Sequence, residues 1–316
     1  MLSAAVLIGL ILSLTELQVQ VQMMNLQEAR RSEAKLLAYS VENRIARVSE
    51  VLEATSRQPE VRSTESAALI SETFMGVPPD RDVSKRAVAR AVLDANEDLA
   101  SIFFLMPNGD IYLGEPYTDQ AQLPRLNYAD RDWYTGVTTT GDTYVSEVFI
   151  SAAIHRPAIA IAVPTEGEDG SVVGYWVGIM NPATLQEDFL DLGYGLGPRI
   201  TIVDHNAIAL ADSGTQRVDE LKSFGDLASV HNALEGQTGF RIETINGTKT
   251  FVVYHPLRAQ PHSWAAILMA PYDDVFSSID SGRTTSYVLA VAVGMVFALT
   301  GFLVSRSGGP AKPGAH

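Results

Sequence analysis

The sequence predicts an α+β protein: a long N-terminal helix, then two tandem antiparallel-sheet modules, the whole flanked by transmembrane helices. Three observations predict it. Eighteen uncharged residues run from Tyr287 to Val304, and a shorter apolar stretch, MLSAAVLIGLILSL, opens the chain. Leu37, Val41, Ile45, Val48 and Leu52 recur at spacings of four, four, three and four, the period of a helix with one apolar face. Beyond Pro78-Pro79, a series of strand and turn signals occurs twice.

The opening stretch is about fourteen residues long and passes through TELQVQVQMM without an arginine until Arg30. That is short for a span and long enough for a signal-peptide core. No basic n-region precedes it and no small-residue cleavage site follows, so residues 1–22 are read as an uncleaved membrane anchor with a clipped start, a signal peptide being the alternative. Residues 23–57 form a stalk helix. A second helix is expected over Val83–Leu99. Strands follow at Ile102–Met106, broken by the turn Pro107-Asn108-Gly109-Asp110, then from Ile111, and over Tyr144–Ile150, Ala158–Val163 and Val172–Met180. These make a first module over residues 58–189.

The pattern returns in shorter form, with Arg199–Val203, the turn Asp204-His205-Asn206, Ile208–Ala211, Phe240–Ile245, the hairpin pair Asn246-Gly247, Lys249–Pro256 and Trp264–Met269. This second module is placed at residues 190–278, with Gly193–Gly197 as linker. A helix over residues 285–305 is long enough to cross a hydrocarbon core of roughly 30 Å. Arg306 and Lys312 follow it against Arg283 before it, so the tail, residues 306–316, is cytoplasmic and the modules lie outside.

A net charge of −14 would repel a phosphate backbone, and no basic stripe interleaves with aromatics, so nucleic acid is not a partner. No cysteine occurs, which removes disulfides, thiolate metal sites and thiol nucleophiles. The six histidines show no HxH or HExxH spacing, and no GxSxG appears; neither metal nor cofactor is expected. His155 and Arg156 are read as a solvated hairpin turn before Pro157.

One cluster carries binding chemistry. Arg131, Trp133 and Tyr134 combine a planar fork of donors suited to a carboxylate with aromatic walls. The competing reading puts Trp133 and Tyr134 in a core and pairs Arg131 with Asp130 or Asp132.

The run from Asn127 through Tyr128, Arg131, Trp133 and Tyr134 to Gly136 is followed by Gly141, Tyr144, Ser146 and Glu147, and then by His155 to Pro164. This order resembles the membrane-distal module of the double Cache sensors found in bacterial chemoreceptors, sensor histidine kinases and diguanylate cyclases. Gly239-Phe240-Arg241, Asn246-Gly247, Tyr254–Pro256 and Trp264 are similar to the closing hairpin of the family's proximal module. The resemblance covers roughly residues 30–280. It implies two PAS-like sheet modules, a homodimer in the inner membrane with its sensor domain periplasmic, and a ligand pocket in the distal module. The implied site comprises Tyr128, Arg131, Trp133, Tyr134, Tyr144, Phe149 and Ser151.

Amino-acid-binding members hold the ligand ammonium with further carboxylates. Here the expected tyrosine and aspartate are Phe149 and Ser151, and a later aspartate falls on Gly178 or Ile179. A buried ammonium without an anionic partner is costly, so the expected ligand is a small carboxylate lacking an amine. The function expected is transmembrane signalling by a non-enzymatic sensor whose cytoplasmic effector is missing or separate, the chain being a fragment. The alternatives are a membrane-anchored hydrolase or a stand-alone binding module acting through a partner.

Overall fold

The computed structural model describes residues 2–181, 183–185, 198–214 and 220–307. These fall into two compact units. The larger comprises described residues of Arg31–Glu243 and Val252–Ala270, and the smaller those of Met1–Arg30, Thr244–Phe251 and Pro271–His316. The expected linker Gly193–Gly197 and the tail beyond Ser307 lie outside the described residues.

Helix α1 runs unbroken over Leu2–Ser56. Within the larger unit, Leu37, Val41, Ile45, Val48 and Leu52 are all buried, as the 3.6-residue period requires of a helix lying on a core. After α2 (Pro59–Arg62) and α3 (Val83–Ala95) come β1 (Leu99–Leu105), β2 (Ile111–Glu115), α4 (Tyr117–Ala121), α5 (Asp132–Thr140), β3 (Tyr144–Val145), β4 (Phe149–Ile150), β5 (Pro157–Ala158), β6 (Ala160–Glu166) and β7 (Val172–Met180). Five of these strands form an antiparallel sheet in the order β2-β1-β7-β6-β3, and β4 pairs with β5 as a separate ribbon.

The sheet's two faces are set by strand alternation. Gly178 lies under the stalk, where an added Cβ would come within 2.8 Å of both Leu52 and Leu99. Two residues earlier, the fully buried Trp176 donates from Nε1 to Thr55 Oγ1 at 3.0 Å. The intervening residues, Val177 and Ile179, point to the opposite face and join a core cluster with Phe103, Leu105, Tyr128 and Trp133.

A second sheet follows, built of β8 (Arg199–Val203), β9 (Ala209–Asp212), β10 (Gly239–Ile245), β11 (Thr248–Ala259) and β12 (His262–Pro271) in the order β10-β11-β12-β8-β9, with α6 (Ala228–Leu234) before β10. The smaller unit contains the first part of α1, the hairpin tip Thr244–Phe251 and α7 (Tyr272–Ser307). There, Lys249 Nζ lies 3.5 Å from the Tyr272 ring centroid, Phe251 meets Phe276 edge-on at 5.1 Å, and Arg283 pairs with Glu16 at 3.1 Å. Both α1 and α7 are long and apolar enough over part of their length to cross a membrane.

Two local expectations change. The strand expected over Tyr144–Ile150 is interrupted, because Val148 gives its N–H to the Asp204 carboxylate and Ser146 Oγ takes the Ala160 N–H. Helices α2, α4, α5 and α6 have no counterpart among the expected elements; α5 reads DWYTGVTTT, rich in β-branched and aromatic residues of low helix propensity, and forms because Trp133 and Val137 are buried.

Lys85 of α3 is fully buried with its ammonium 3.6 Å from the Phe104 ring centroid and 4.3 Å from that of Tyr112, donating to Ser63 O at 2.5 Å. Burial pulls its pKa down to about 7, against the counter-pull of Asp82. The unfolded chain therefore binds this proton more tightly above that pH, and stability rises as pH climbs toward the ordinary lysine value. Lys85→Met is expected to abolish the rise in unfolding free energy between about pH 7 and about pH 9, measured by denaturant titration at both pH values.

Candidate ligand-binding site

The site is assembled from the turn between β1 and β2, the start of α5 and the ribbon β4–β5. Gly109 holds the first turn at φ +88°, and a Cβ there would strike Ala129 at 2.7 Å. Asn127 ties the following segment to that turn, donating from Nδ2 to Asn108 O at 2.9 Å and to Asp110 Oδ1 at 2.8 Å. Tyr128 is thereby fixed beneath the sheet, and Arg131 becomes the extended residue that precedes α5. Its guanidinium carbon lies 5.5 Å from the Phe149 ring centroid and 5.9 Å from that of Tyr128.

Among the described residues no carboxylate pairs with Arg131. Both neighbouring aspartates are engaged elsewhere. Asp130 takes Arg125 at 2.6 Å, while Asp132 accepts from Tyr144 Oη at 3.1 Å and from the Glu147 N–H at 2.9 Å. The buried Arg86 shows the contrasting case of a structural cation, donating to Glu115, Gln120, Gly114 O and Val77 O.

Arg131 borders a cavity with a solvent-accessible volume of about 30 Å³, lined by the aliphatic and aromatic side chains of Phe103, Leu105, Ile111, Leu123, Val177 and Ile179 and by Tyr128, Trp133, Phe149 and Ser151–Ala153. Its polar groups are donors. Tyr128 Oη is buried without a partner, and burial pushes the phenol up against the pull of Arg125 and Arg131, so it keeps its proton. Ser151 Oγ accepts from the N–H groups of Ala153 at 3.3 Å and Ile154 at 3.5 Å, leaving its own O–H to donate. Among the described residues no carboxylate lines the cavity, and Arg131 is the one charged group that does.

Five of the seven expected site residues thus meet here: Tyr128, Arg131, Trp133, Phe149 and Ser151. Tyr134 and Tyr144 are not part of the lining. Tyr134 packs edge-on against Trp133 and Tyr175 and donates to Pro107 O at 2.6 Å. Tyr144 passes close to Gly136, where only a missing Cβ leaves room for its ring, and directs its hydroxyl to Asp132 and His262. Of the two positions considered for a further carboxylate, Ile179 lines the cavity and Gly178 faces α1. The apolar wall of Phe103, Leu105, Ile111 and Leu123 has no sequence signal of its own, because β1 and β2 are apolar on both faces and Leu123 lies on neither strand. His155 and Arg156 stand in the turn of the ribbon, His155 at φ +53°.

A long helix on one face of an antiparallel sheet, an enclosed cavity under the other face and a second sheet in series define a double-sheet sensor module. The family model for the Cache domain matches residues 15–279, so the chain belongs to the Cache domain family, as a non-catalytic sensor module. No curated protein matches the sequence. Solved structures share the fold at low identity. The ligand-binding domain of the Pseudomonas aeruginosa amino acid chemoreceptor PctB, in complex with L-Arg, is 18% identical with a TM-score of 0.60, covering 87% of this chain and 99% of that one. The ligand-binding domain of the Pseudomonas fluorescens chemoreceptor CtaA, in complex with L-isoleucine, is 15% identical with a TM-score of 0.59, covering 83% and 98%. The periplasmic sensory domain of the Campylobacter jejuni chemoreceptor Tlp1 is 12% identical with a TM-score of 0.58, covering 80% and 98%.

The orphaned Tyr128 hydroxyl gives a direct check on whether this cavity is built for a polar guest. A buried hydroxyl with no partner costs about 1–3 kcal/mol of desolvation, so Tyr128→Phe is expected to leave unliganded stability unchanged or raise it by up to about that amount. Denaturant titration without added ligand measures this; a loss above about 1 kcal/mol shows that the hydroxyl has a structural partner.

Proposed function

We propose that this chain is the membrane-anchored input module of a bacterial signalling receptor, holding a small carboxylate without an amine in the cavity beside Arg131. The observation that carries the reading is the composition of that cavity among the described residues: an unpaired guanidinium, two free hydroxyl donors and no carboxylate. An anion gains charge-assisted hydrogen bonds from all three donors. An ammonium finds no anionic side chain there among the described residues and would be desolvated beside a cation.

The remaining wall is aliphatic and aromatic, which favours one carboxylate with a short apolar tail over a dicarboxylate. The chemoreceptor domains of similar fold in complex with L-Arg and L-isoleucine hold amino acids; the lining of this pocket favours instead an acid without the amine. The accessible space, about 30 Å³, accommodates about two waters, so entry requires the lining to part. The ribbon β4–β5 pairs over only two residues per strand, and carries Phe149 and Ser151; a ribbon this short has little stability of its own and opens at low cost.

Signalling follows from population shift. A ligand that favours one arrangement of the distal sheet biases α1, which packs on that sheet's other face, and through α1 and α7 biases the inner-membrane anchors. In this reading the modules are periplasmic and act as a homodimer, and the cytoplasmic effector receives the change.

Isothermal titration of the full chain in nanodiscs with butyrate, 2-oxobutyrate, succinate and 2-aminobutyrate tests the proposal. The monocarboxylates are expected to bind, with the amine and the dicarboxylate at least tenfold weaker. Arg131→Gln is expected to weaken the monocarboxylates by about 30-fold or more, as truncating one side of a buried charge pair costs about 2–5 kcal/mol. Tighter binding of 2-aminobutyrate than of butyrate, or unchanged affinity in Arg131→Gln, overturns it.

A further inference from the structure

A group of titratable side chains outside the ligand cavity bridges the two sheets of the larger unit. His205, in the turn between β8 and β9, stacks on His262 at the start of β12, with ring centroids 3.8 Å apart and planes 15° from parallel. His262 Nε2 lies 2.9 Å from Tyr144 Oη, and that hydroxyl lies 3.1 Å from Asp132 Oδ1. An ionised carboxylate only accepts, so the phenol gives its one proton to Asp132 and His262 Nε2 is the donor to the phenol oxygen. Burial, reinforced by Asp132, pushes Tyr144 up to about 12, so the phenol stays protonated at any pH the cell imposes on this site.

The same contacts hold the first sheet to the second. Val148 N–H donates to Asp204 Oδ2 at 2.7 Å, Asn206 Nδ2 donates to Glu147 Oε2 at 2.8 Å, and Val145 N–H donates to Gln260 O at 3.0 Å. Asp204 is fully buried, and His205 Nδ1 is buried with no hydrogen-bond partner. Among the described residues no group of three or more His, Asp or Glu side chains is placed to hold a metal.

We infer that the His205–His262 stack is a proton-responsive latch: protonation on mild acidification drives the two rings apart and loosens the hold of the second sheet on Tyr144–Val148. Two imidazolium rings at stacking distance repel, and the orphaned Nδ1 of His205 offers a second proton no acceptor side chain. Burial, and then the proximity of His205, hold His262 below the ordinary imidazole range, opposed by Asp132 and Asp204. An imidazole so lowered stabilises the closed junction at neutral pH and withdraws that stability as pH falls through the ordinary imidazole range. Glu147 acts in the opposite sense. Burial, then Asp132 and Asp204, push its carboxyl up, so a proton there eases the junction and partly masks the histidine response.

The test uses the full chain in nanodiscs without added ligand, between about pH 8 and about pH 5. Histidine Cε1–H resonances report protonation, and hydrogen exchange, corrected for intrinsic rates, reports the Val145 and Val148 amides. In the parent, His262 is expected to titrate below the ordinary imidazole value, and both amides to lose protection on acidification. In His205→Gln the His262 midpoint moves up toward the ordinary value and the loss of protection shrinks; in Glu147→Gln the loss deepens. An unmoved His262 midpoint in His205→Gln, or the same acid response in parent and His205→Gln, overturns the latch. Should His205→Gln fail to fold, the parent alone decides: a His262 that titrates at or above the ordinary imidazole value overturns the latch.

Discussion

The structure of the larger unit depends on one close approach, that of α1 to strand β7 at Gly178. The absent Cβ lets Leu52 and Leu99 close over the backbone, and the Trp176–Thr55 hydrogen bond fixes the helix along the strand. Because side chains alternate along a strand, the same approach decides what the other face carries: Val177 and Ile179 become the floor of the cavity. Helix and cavity are thus separated by the thickness of a single sheet. A side chain at residue 178 would push the helix away and uncouple it from the strand that lines the cavity.

Charge placement follows a similar economy. Arg86 and Lys85 are buried, and each is satisfied, the first by carbonyls and Glu115, the second by Ser63 O and two aromatic rings. Arg131 stands apart because its two adjacent aspartates are turned to other duties, Asp130 to Arg125 and Asp132 to the junction with the second sheet. Asp132 therefore links two features that are separate in space: by serving Tyr144 and Glu147 it leaves Arg131 without an internal counter-ion. In the proposed site, the cation's availability to a ligand is a consequence of how the junction is built.

The legible and the illegible parts of the sequence differ for physical reasons. The stalk stripe from Leu37 to Leu52 was readable because an apolar period of 3.6 residues sustained over several turns fits a helix and no strand, and all five residues are buried. The turn at Asn108-Gly109 was readable because only glycine fits against Ala129 there. Helix α5 was not, since its composition argues against a helix and tertiary burial of Trp133 and Val137 outweighs propensity. Tyr144 looked like a member of the ligand cluster because of its sequence neighbours. Its direction is set by Gly136 and by His262, which lies 118 residues away, and local pattern carries no such information.

The break in the strand after Val145 joins these threads. An uninterrupted strand through Ile150 would keep every N–H in the ladder and leave Asp204 without the Val148 amide. By leaving the ladder after Ser146, the chain places Glu147 and Val148 against the turn of the second sheet and starts a fresh, two-residue pairing that carries Phe149. The segment Tyr144–Ser151 therefore touches the junction at one end and the cavity at the other, within eight residues. A ligand that shifts Phe149 and a proton that shifts His262 act on the same short stretch of backbone. Coupling between the proposed cavity and the junction then needs no extended pathway, only that this stretch favour one register of contacts when either end is occupied.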